Sequence, residues 1–298
     1  MDHLSGARAA GPCAVSGGGL RSGAHASLWR RAAAVGLAGV FAAGAATAPR
    51  ADAAPSPAGV ARAVHDLSIQ GLAQRVLLVA PAAPRAVLVM LPGGAGNVGI
   101  RPDGTLAHGD NFLVRTRARF AHLGFAVLIP DAAGTRNLRG RRSTPAYGDL
   151  VRALAAFAGK QTGKPVFLVG TSQGAIAAAN GAARAPAGEV AGLVLTEAVS
   201  VLGGSRESVY DADLPSVRVP VLILANRDDA CPVSPPAEAP KIAAALSGAP
   251  LVTVEEVAGG RPGKPCGSLS PHGYLGIEDE VVGRIAAWID ARLAASAR

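Results

Sequence analysis

Beyond residue 60 the chain alternates two kinds of apolar pattern. Short runs rich in aliphatic and β-branched residues recur at 74–80, 86–91, 126–130, 166–170, 192–196, 221–225 and 251–257. Val87-Leu88-Val89-Met90-Leu91 contains no polar position, as expected of a strand buried on both faces. Between the runs, apolar residues recur at helical spacing. Leu113, Phe120 and Leu123 do so in 112–123, Leu150, Leu154 and Phe157 in 147–158, and Val281, Ile285, Trp288 and Ile289 in 277–293. The last segment opens with Glu278, Asp279 and Glu280 and carries Arg292 in its expected final turn, which complements a helix dipole. This alternation predicts an α/β fold: a doubly wound, mainly parallel sheet of about eight strands, in a single domain over residues 54–298.

The segment before that domain reads differently. Trp29-Arg30-Arg31 precedes an uncharged run from Ala32 to Ala48, followed by Ala51-Asp52-Ala53 and the proline-rich Pro55-Ser56-Pro57. Basic residues, an apolar stretch and an A-x-A site are the parts of a secretory signal peptide. Residues 1–53 are therefore expected to be a leader, and the mature chain to be periplasmic or secreted. The arginine pair leaves open whether export uses the general or the twin-arginine route. The apolar run is short for a membrane span, and no stable span is expected in the mature chain.

Composition narrows the classes. Hydrophobic residues are 49% and charged residues 17% of the 298, with a mean hydropathy of +0.29, which excludes a disordered polyelectrolyte. The formal charge of +8 resembles a nucleic-acid signal until it is located. Removing the leader leaves 24 basic and 19 acidic residues, and no basic cluster interleaved with aromatics remains, so nucleic acid is not an expected partner. Of the three cysteines, Cys13 would leave with the leader. Cys231 and Cys266 remain as an even pair in an oxidising compartment and are expected to form a disulfide. Such a bridge would close a loop of about 35 residues and contribute on the order of 3–4 kcal/mol.

The chemistry centres on Gly170-Thr171-Ser172-Gln173-Gly174, which follows the apolar run 166–170 and precedes the small-residue segment 175–185. G-x-S-x-G at a strand-to-helix junction is a nucleophile elbow, a strained turn that exposes the serine hydroxyl over the sheet's C-terminal edge. A serine nucleophile needs a base, and the base needs an orienting acid. His272 is the only histidine after Ser172, in the loop Ser270-Pro271-His272-Gly273-Tyr274 before the last helix. His122, inside the helical pattern beside Phe120 and Leu123, is expected to be a packed surface or core residue, and His65 and His108 lack supporting context. The acid is expected after the run 221–225, at Asp229 in preference to Asp228.

With Ser172, Asp229 and His272 in that order and Leu91-Pro92-Gly93-Gly94 after an early strand, the chain resembles the α/β-hydrolase superfamily over nearly all of 60–298. Asn111-Phe112-Leu113-Val114-Arg115, Asp228-Asp229-Ala230-Cys231 and Pro265-Cys266 look like an exported bacterial group of hydrolases without assigned substrates. The resemblance implies hydrolysis of esters or related acyl compounds. It also implies a G-x-x-D-like turn before the acid, in which this chain has Asn226 at the glycine position. An oxyanion hole would draw on the amide of Gln173 and on Gly94 or Ala95. Only 24 residues separate the runs at 192–196 and 221–225, which leaves no room for a large cap. Cys231 and Cys266 flank Asp229 and His272, so a bridge would tie the acid loop to the base loop.

Amidase, peptidase or acyltransferase chemistry could use the same parts. Gly94-Ala95-Gly96-Asn97-Val98-Gly99 also spells the dinucleotide fingerprint G-x-G-x-x-G, with Asp131 as its acidic partner, which would suit a nucleotide-dependent oxidoreductase. The turn-rich Ile100-Arg101-Pro102-Asp103-Gly104 stands where that motif requires a helix, so Asp131 is expected to be structural. Arg139, Arg141 and Arg142 are expected to be a solvated basic loop. A non-catalytic binding protein on the same fold is a further alternative. The preferred expectation is a serine hydrolase acting on a small acyl substrate, without cofactor or metal.

Overall fold

The computed structural model of the protein describes residues 59–134 and 137–296. The expected leader 1–53 and Cys13 lie outside the described residues. Eight strands form one sheet in the order β1-β2-β4-β3-β5-β6-β7-β8. They are β1 (Val60–Ile69), β2 (Leu72–Pro81), β3 (Ala86–Leu91), β4 (Phe125–Pro130), β5 (Val166–Thr171), β6 (Gly192–Thr196), β7 (Val221–Asn226) and β8 (Val252–Val257). The pairs β1–β2 and β2–β4 are antiparallel, and every pairing from β4 through β3 to β8 is parallel. This is the doubly wound, mainly parallel arrangement that the alternation predicts.

Among the described residues five helices cover the sheet: α1 (Phe112–His122), α2 (Pro145–Thr162), α3 (Gln173–Arg184), α4 (Ala239–Ala245) and α5 (Glu278–Ser296). Leu150, Val151 and Leu154 of α2 and the alanines of α3 pack on one face with Val87, Val89 and Leu168. On the other face Phe112 and Phe120 of α1 and Val281, Ile285 and Trp288 of α5 meet Leu88, Met90, Phe167 and Val169. The strands β3, β4, β5, β6 and β7 are buried at every position, which is why they read as unbroken apolar runs. The Asn111 side chain caps α1 by accepting from the Leu113 amide, and Thr144 caps α2 ahead of Pro145.

The differences from expectation lie at the margins. β1 is an edge strand with alternating, largely exposed positions, so its sequence carries no strong apolar run. It joins β2 through Gln70-Gly71, both at positive φ, the backbone twist of a tight hairpin. Leu123 lies just past α1 and is 41% exposed, outside the packed face. α5 continues to Ser296, so Arg292 is not in its last turn. Only the short 3-10 turns Val209–Ala212 and Leu214–Ser216 lie between β6 and β7, in place of a helical cap. No helix among the described residues is long and apolar enough to cross a membrane.

Candidate active site

The C-terminal ends of β3, β5, β6 and β7 point to one edge of the sheet, where the order reverses between β4 and β5 around β3. Crevices at such switch points are where ligands bind in open α/β sheets. Ser172 sits there between β5 and α3, at φ 55° and ψ −125°. Holding a non-glycine residue in that region costs roughly 1–3 kcal/mol, and the surroundings over-determine it. The Ser172 amide donates to the Thr196 carbonyl (2.9 Å), and the Ala175 amide to the Ser172 carbonyl (3.0 Å). A side chain at Gly174 would overlap the carbonyl of Leu91, and one at Gly170 the carbonyl of Gly174. The glycines of the motif are thus needed for close approach of three backbones.

His272 lies in the 3-10 turn Pro271–Gly273 and is 5% exposed. Its Nε2 is 3.0 Å from Ser172 Oγ, and its Nδ1 is 2.7 Å from Asp229 Oδ2. A carboxylate only accepts, so Nδ1 carries the proton and Nε2 is left to accept from the serine hydroxyl. The loop after β7 turns Asp229 inward and Asp228 outward. Asp228 caps the Gly259 amide (2.6 Å), whereas Asp229 accepts from the Cys231 amide (2.8 Å) and from Ser234 Oγ (3.2 Å). Burial works against a charge on Asp229, but the His272 contact, the Glu197 carboxyl and the Cys231 amide outweigh it and hold the pKa below the usual carboxylate value.

Three further residues build this edge in roles that the sequence did not assign to them. Asn226, at the end of β7, donates to the carbonyls of Gly259 (2.9 Å) and Pro271 (3.0 Å), so the glycine position of the family pattern serves as a tether for the base loop. Arg115 of α1 donates to the carbonyls of Asp110 (2.7 Å), Ser268 (3.1 Å) and Gly273 and pairs with Glu278 (3.0 Å), clamping the same loop from the other side. Glu197, directly after β6, is buried beside Asp229 and Tyr274. Its acidic side chain follows a strand end, a signal that a search for carboxylates near the other strand ends could have found. Cys231 and Cys266 are bonded to each other, with 4.6 Å between their Cα atoms, and join the Asp229 loop to the His272 loop.

Arg142 corrects the expectation of a solvated basic loop. It is 1% exposed and donates to Gln173 Oε1 (3.2 Å) and to the Pro92 carbonyl (3.1 Å). A single guanidinium therefore links the residue after Ser172 to the turn after β3. Arg139 remains exposed. The turn Gly93-Gly94-Ala95 lies against the elbow: a Cβ at Gly93 would be 2.9 Å from the Cβ of Ser172. Gln173 opens α3, so its N–H is among the donors that a helix start leaves unpaired. A cleft of about 300 Å³ runs past Ser172 and His272, with Gly94, Ala95, His108, Asn111, Phe112 and Cys266 in its wall. His108 thus stands at the site, while His65 packs on Phe157 and His122 is exposed.

The G-x-G-x-x-G stretch takes another shape. Asp131 accepts from the amides of Val98 (2.9 Å), Gly99 (3.1 Å) and Ile100 (2.7 Å), and Ile100 bridges to Leu106, so no helix opens at Gly99. Asp131 caps a loop, as expected for a structural role. Donor atoms of Glu197, Asp229 and His272 lie within 4.8 Å of one another, the spacing of a metal cluster. Both nitrogens of His272 are already engaged, with Asp229 and Ser172, which leaves that ring no lone pair facing a cation between the carboxyls.

Residues 88–211 match the model of the Alpha/beta hydrolase family. No curated protein sequence matches the chain. Among solved structures, the dienelactone hydrolase from Anabaena variabilis superposes with a TM-score of 0.59 at 17% identity, covering 78% of this chain and 98% of its own. Est1E from Butyrivibrio proteoclasticus, solved with ferulic acid, gives 0.56 at 13% identity, covering 76% and 97%. A cold-adapted esterase from an Arctic intertidal metagenomic library gives 0.53 at 15%, covering 80% and 96%. At these identities the likeness is one of fold.

Proposed function

We propose that this chain, which belongs to the alpha/beta hydrolase family, hydrolyses carboxylic esters through Ser172, His272 and Asp229. The observation that carries the reading is the unbroken run of contacts from Ser172 Oγ to His272 (3.0 Å) and from His272 to Asp229 (2.7 Å). Ser172 attacks the acyl carbon while His272 Nε2 takes its proton, and Asp229 stabilises the imidazolium and keeps the proton on Nδ1. The oxygen of the tetrahedral intermediate develops its charge near the Gln173 amide and the Gly94–Ala95 turn, where donors at fixed positions favour it. His272 then delivers the proton to the leaving alcohol, and water repeats the sequence on the acyl-enzyme. Esters are favoured as the substrate class by the cold-adapted esterase among the structures of like fold. The Cys231–Cys266 bond supports an exported protein, since such bonds persist in oxidising compartments.

The experiment is fluorophosphonate labelling of the purified protein with its disulfide intact, followed by mass spectrometry of the adduct. Labelling at Ser172 that disappears in His272→Ala is expected. Absence of labelling in folded protein would overturn the reading.

A further inference from the structure

Glu197 is the buried acid that the proposed reaction leaves unused. It follows β6 at φ 43°, a strained backbone for a residue with a Cβ, and is 3% exposed. Its Oε1 accepts from the Asn226 amide (2.7 Å), while Oε2 is buried and meets no donor. The carboxyl faces Asp229 from the loop after β7 and Tyr274 from the turn before α5, with a ring nitrogen of His272 within 4.8 Å. The Tyr274 hydroxyl is itself committed to the Leu224 carbonyl (2.9 Å). No cationic side chain hydrogen-bonds to Glu197 among the described residues.

Two carboxyl groups this close, shut away from water, do not both ionise. The charge belongs where the donors are. Asp229 is served by His272, Ser234 and the Cys231 amide, Glu197 by one amide alone. Burial drives the Glu197 carboxyl well above its usual pKa, and the neighbouring Asp229 adds to the effect. The unpaired Oε2 is then the atom on which the proton resides, and the lone pairs of Asp229 are what it can reach.

We propose that Glu197 is a neutral carboxylic acid that donates a hydrogen bond to Asp229 and so acts as a positioning residue for the pair Asp229–His272. The inference rests on the reading of Asp229 as the orienting acid of a serine hydrolase. The proton stays on Glu197 throughout both half-reactions, and no other bond to it forms or breaks. The pair carries one negative charge, held in line with His272 Nδ1. An ionised Glu197 would instead place a second negative charge beside the imidazole and repel Asp229 from its seat.

Two variants and one spectrum test this. Glu197→Gln keeps the shape, the neutrality and a donor, and is expected to retain at least about a third of kcat with the acid limb of the kcat/KM profile unmoved. Glu197→Ala removes the donor and is expected to lower kcat about tenfold, the rate equivalent of one hydrogen bond, with KM little changed. The infrared difference between wild type and Glu197→Gln at neutral pH is expected to contain the C=O stretch of a protonated carboxylic acid. An acid limb displaced to lower pH in Glu197→Gln, or a difference spectrum holding carboxylate bands alone, would overturn the neutral state. Full kcat in folded Glu197→Ala would overturn the positioning role. The spectrum needs no turnover, so a failed ester assay with the acid band present would count against the hydrolase reading and not against the protonated Glu197.

Discussion

The side-chain amide of Asn226 donates 3.0 Å to the carbonyl of Pro271, so the end of β7 holds the residue that precedes His272. The Asp229 and His272 loops are thereby referenced to one strand terminus, although 45 residues separate the two partners in sequence. The cost of this device is the turn glycine expected in α/β hydrolases. A glycine at 226 would restore the family pattern and remove both tethers at once. Asn226→Gly is expected to lose about 1–2 kcal/mol of stability and about tenfold in kcat, the two being read by urea unfolding and ester turnover. Unchanged kcat would show that His272 is held without Asn226.

The buried guanidinium of Arg142 spans the two sides of the proposed oxyanion hole, with Gln173 on one and Pro92 on the other. Arg142→Lys keeps the charge but not the fork that reaches both acceptors. The expected result is a fall in kcat of about tenfold or more with KM nearly constant, because the donors it steadies act on the transition state more than on bound substrate. Equal losses in kcat and kcat/KM, at unchanged KM, are the signature to look for in steady-state kinetics. A rise in KM alone would assign Arg142 to substrate binding.

The Cys231–Cys266 bond acts on the site through Asp229, because the Cys231 amide is one of the donors to that carboxylate. Cys231→Ser/Cys266→Ser is expected to lose on the order of 3–4 kcal/mol. Calorimetry should record a lower Tm, and fluorophosphonate labelling of the folded variant should slow. Identical melting and labelling would show the bond to be dispensable for the site.

Glu197 and Asp229 make opposite contributions to the pH dependence of stability. Glu197 binds its proton more tightly when folded than its usual value of 4.5 allows, so its contribution is complete below about pH 4.5 and is lost as pH rises toward its folded value. Asp229 is depressed, so its contribution is present above its usual 3.8 and is lost as pH falls through the folded value. Glu197→Gln removes the first effect alone. As pH rises above about 4.5 and until it passes the folded value of Glu197, wild type is expected to lose stability relative to Glu197→Gln, by up to about 1.4 kcal/mol per pH unit. Chemical unfolding of both proteins across that range checks the sign, and parallel curves would show Glu197 to be ionised.

Much of this protein is written in short stretches of chain. Unbroken apolar runs such as 87–91 mark strands covered on both faces, and Gly170-Thr171-Ser172-Gln173-Gly174 specifies its own turn because the close backbones around it admit no side chain at Gly170 or Gly174. The order of Ser172, Asp229 and His272 along the chain, and the pairing of Cys231 with Cys266, are equally legible. What stayed hidden depends on direction and depth, which sequence spacing does not encode. Asp228 and Asp229 are adjacent, and only the course of the loop after β7 sends one to Gly259 and the other to His272. Arg142 reads as one more basic residue in a polar loop until the fold closes over it, and Asn226 reads as a missing glycine until Pro271 is brought beside it. Glu197 lies some thirty residues from Asp229 along the chain; the parallel pairing of β6 with β7 is what sets the two carboxyls side by side in a place with too little water for both to be charged.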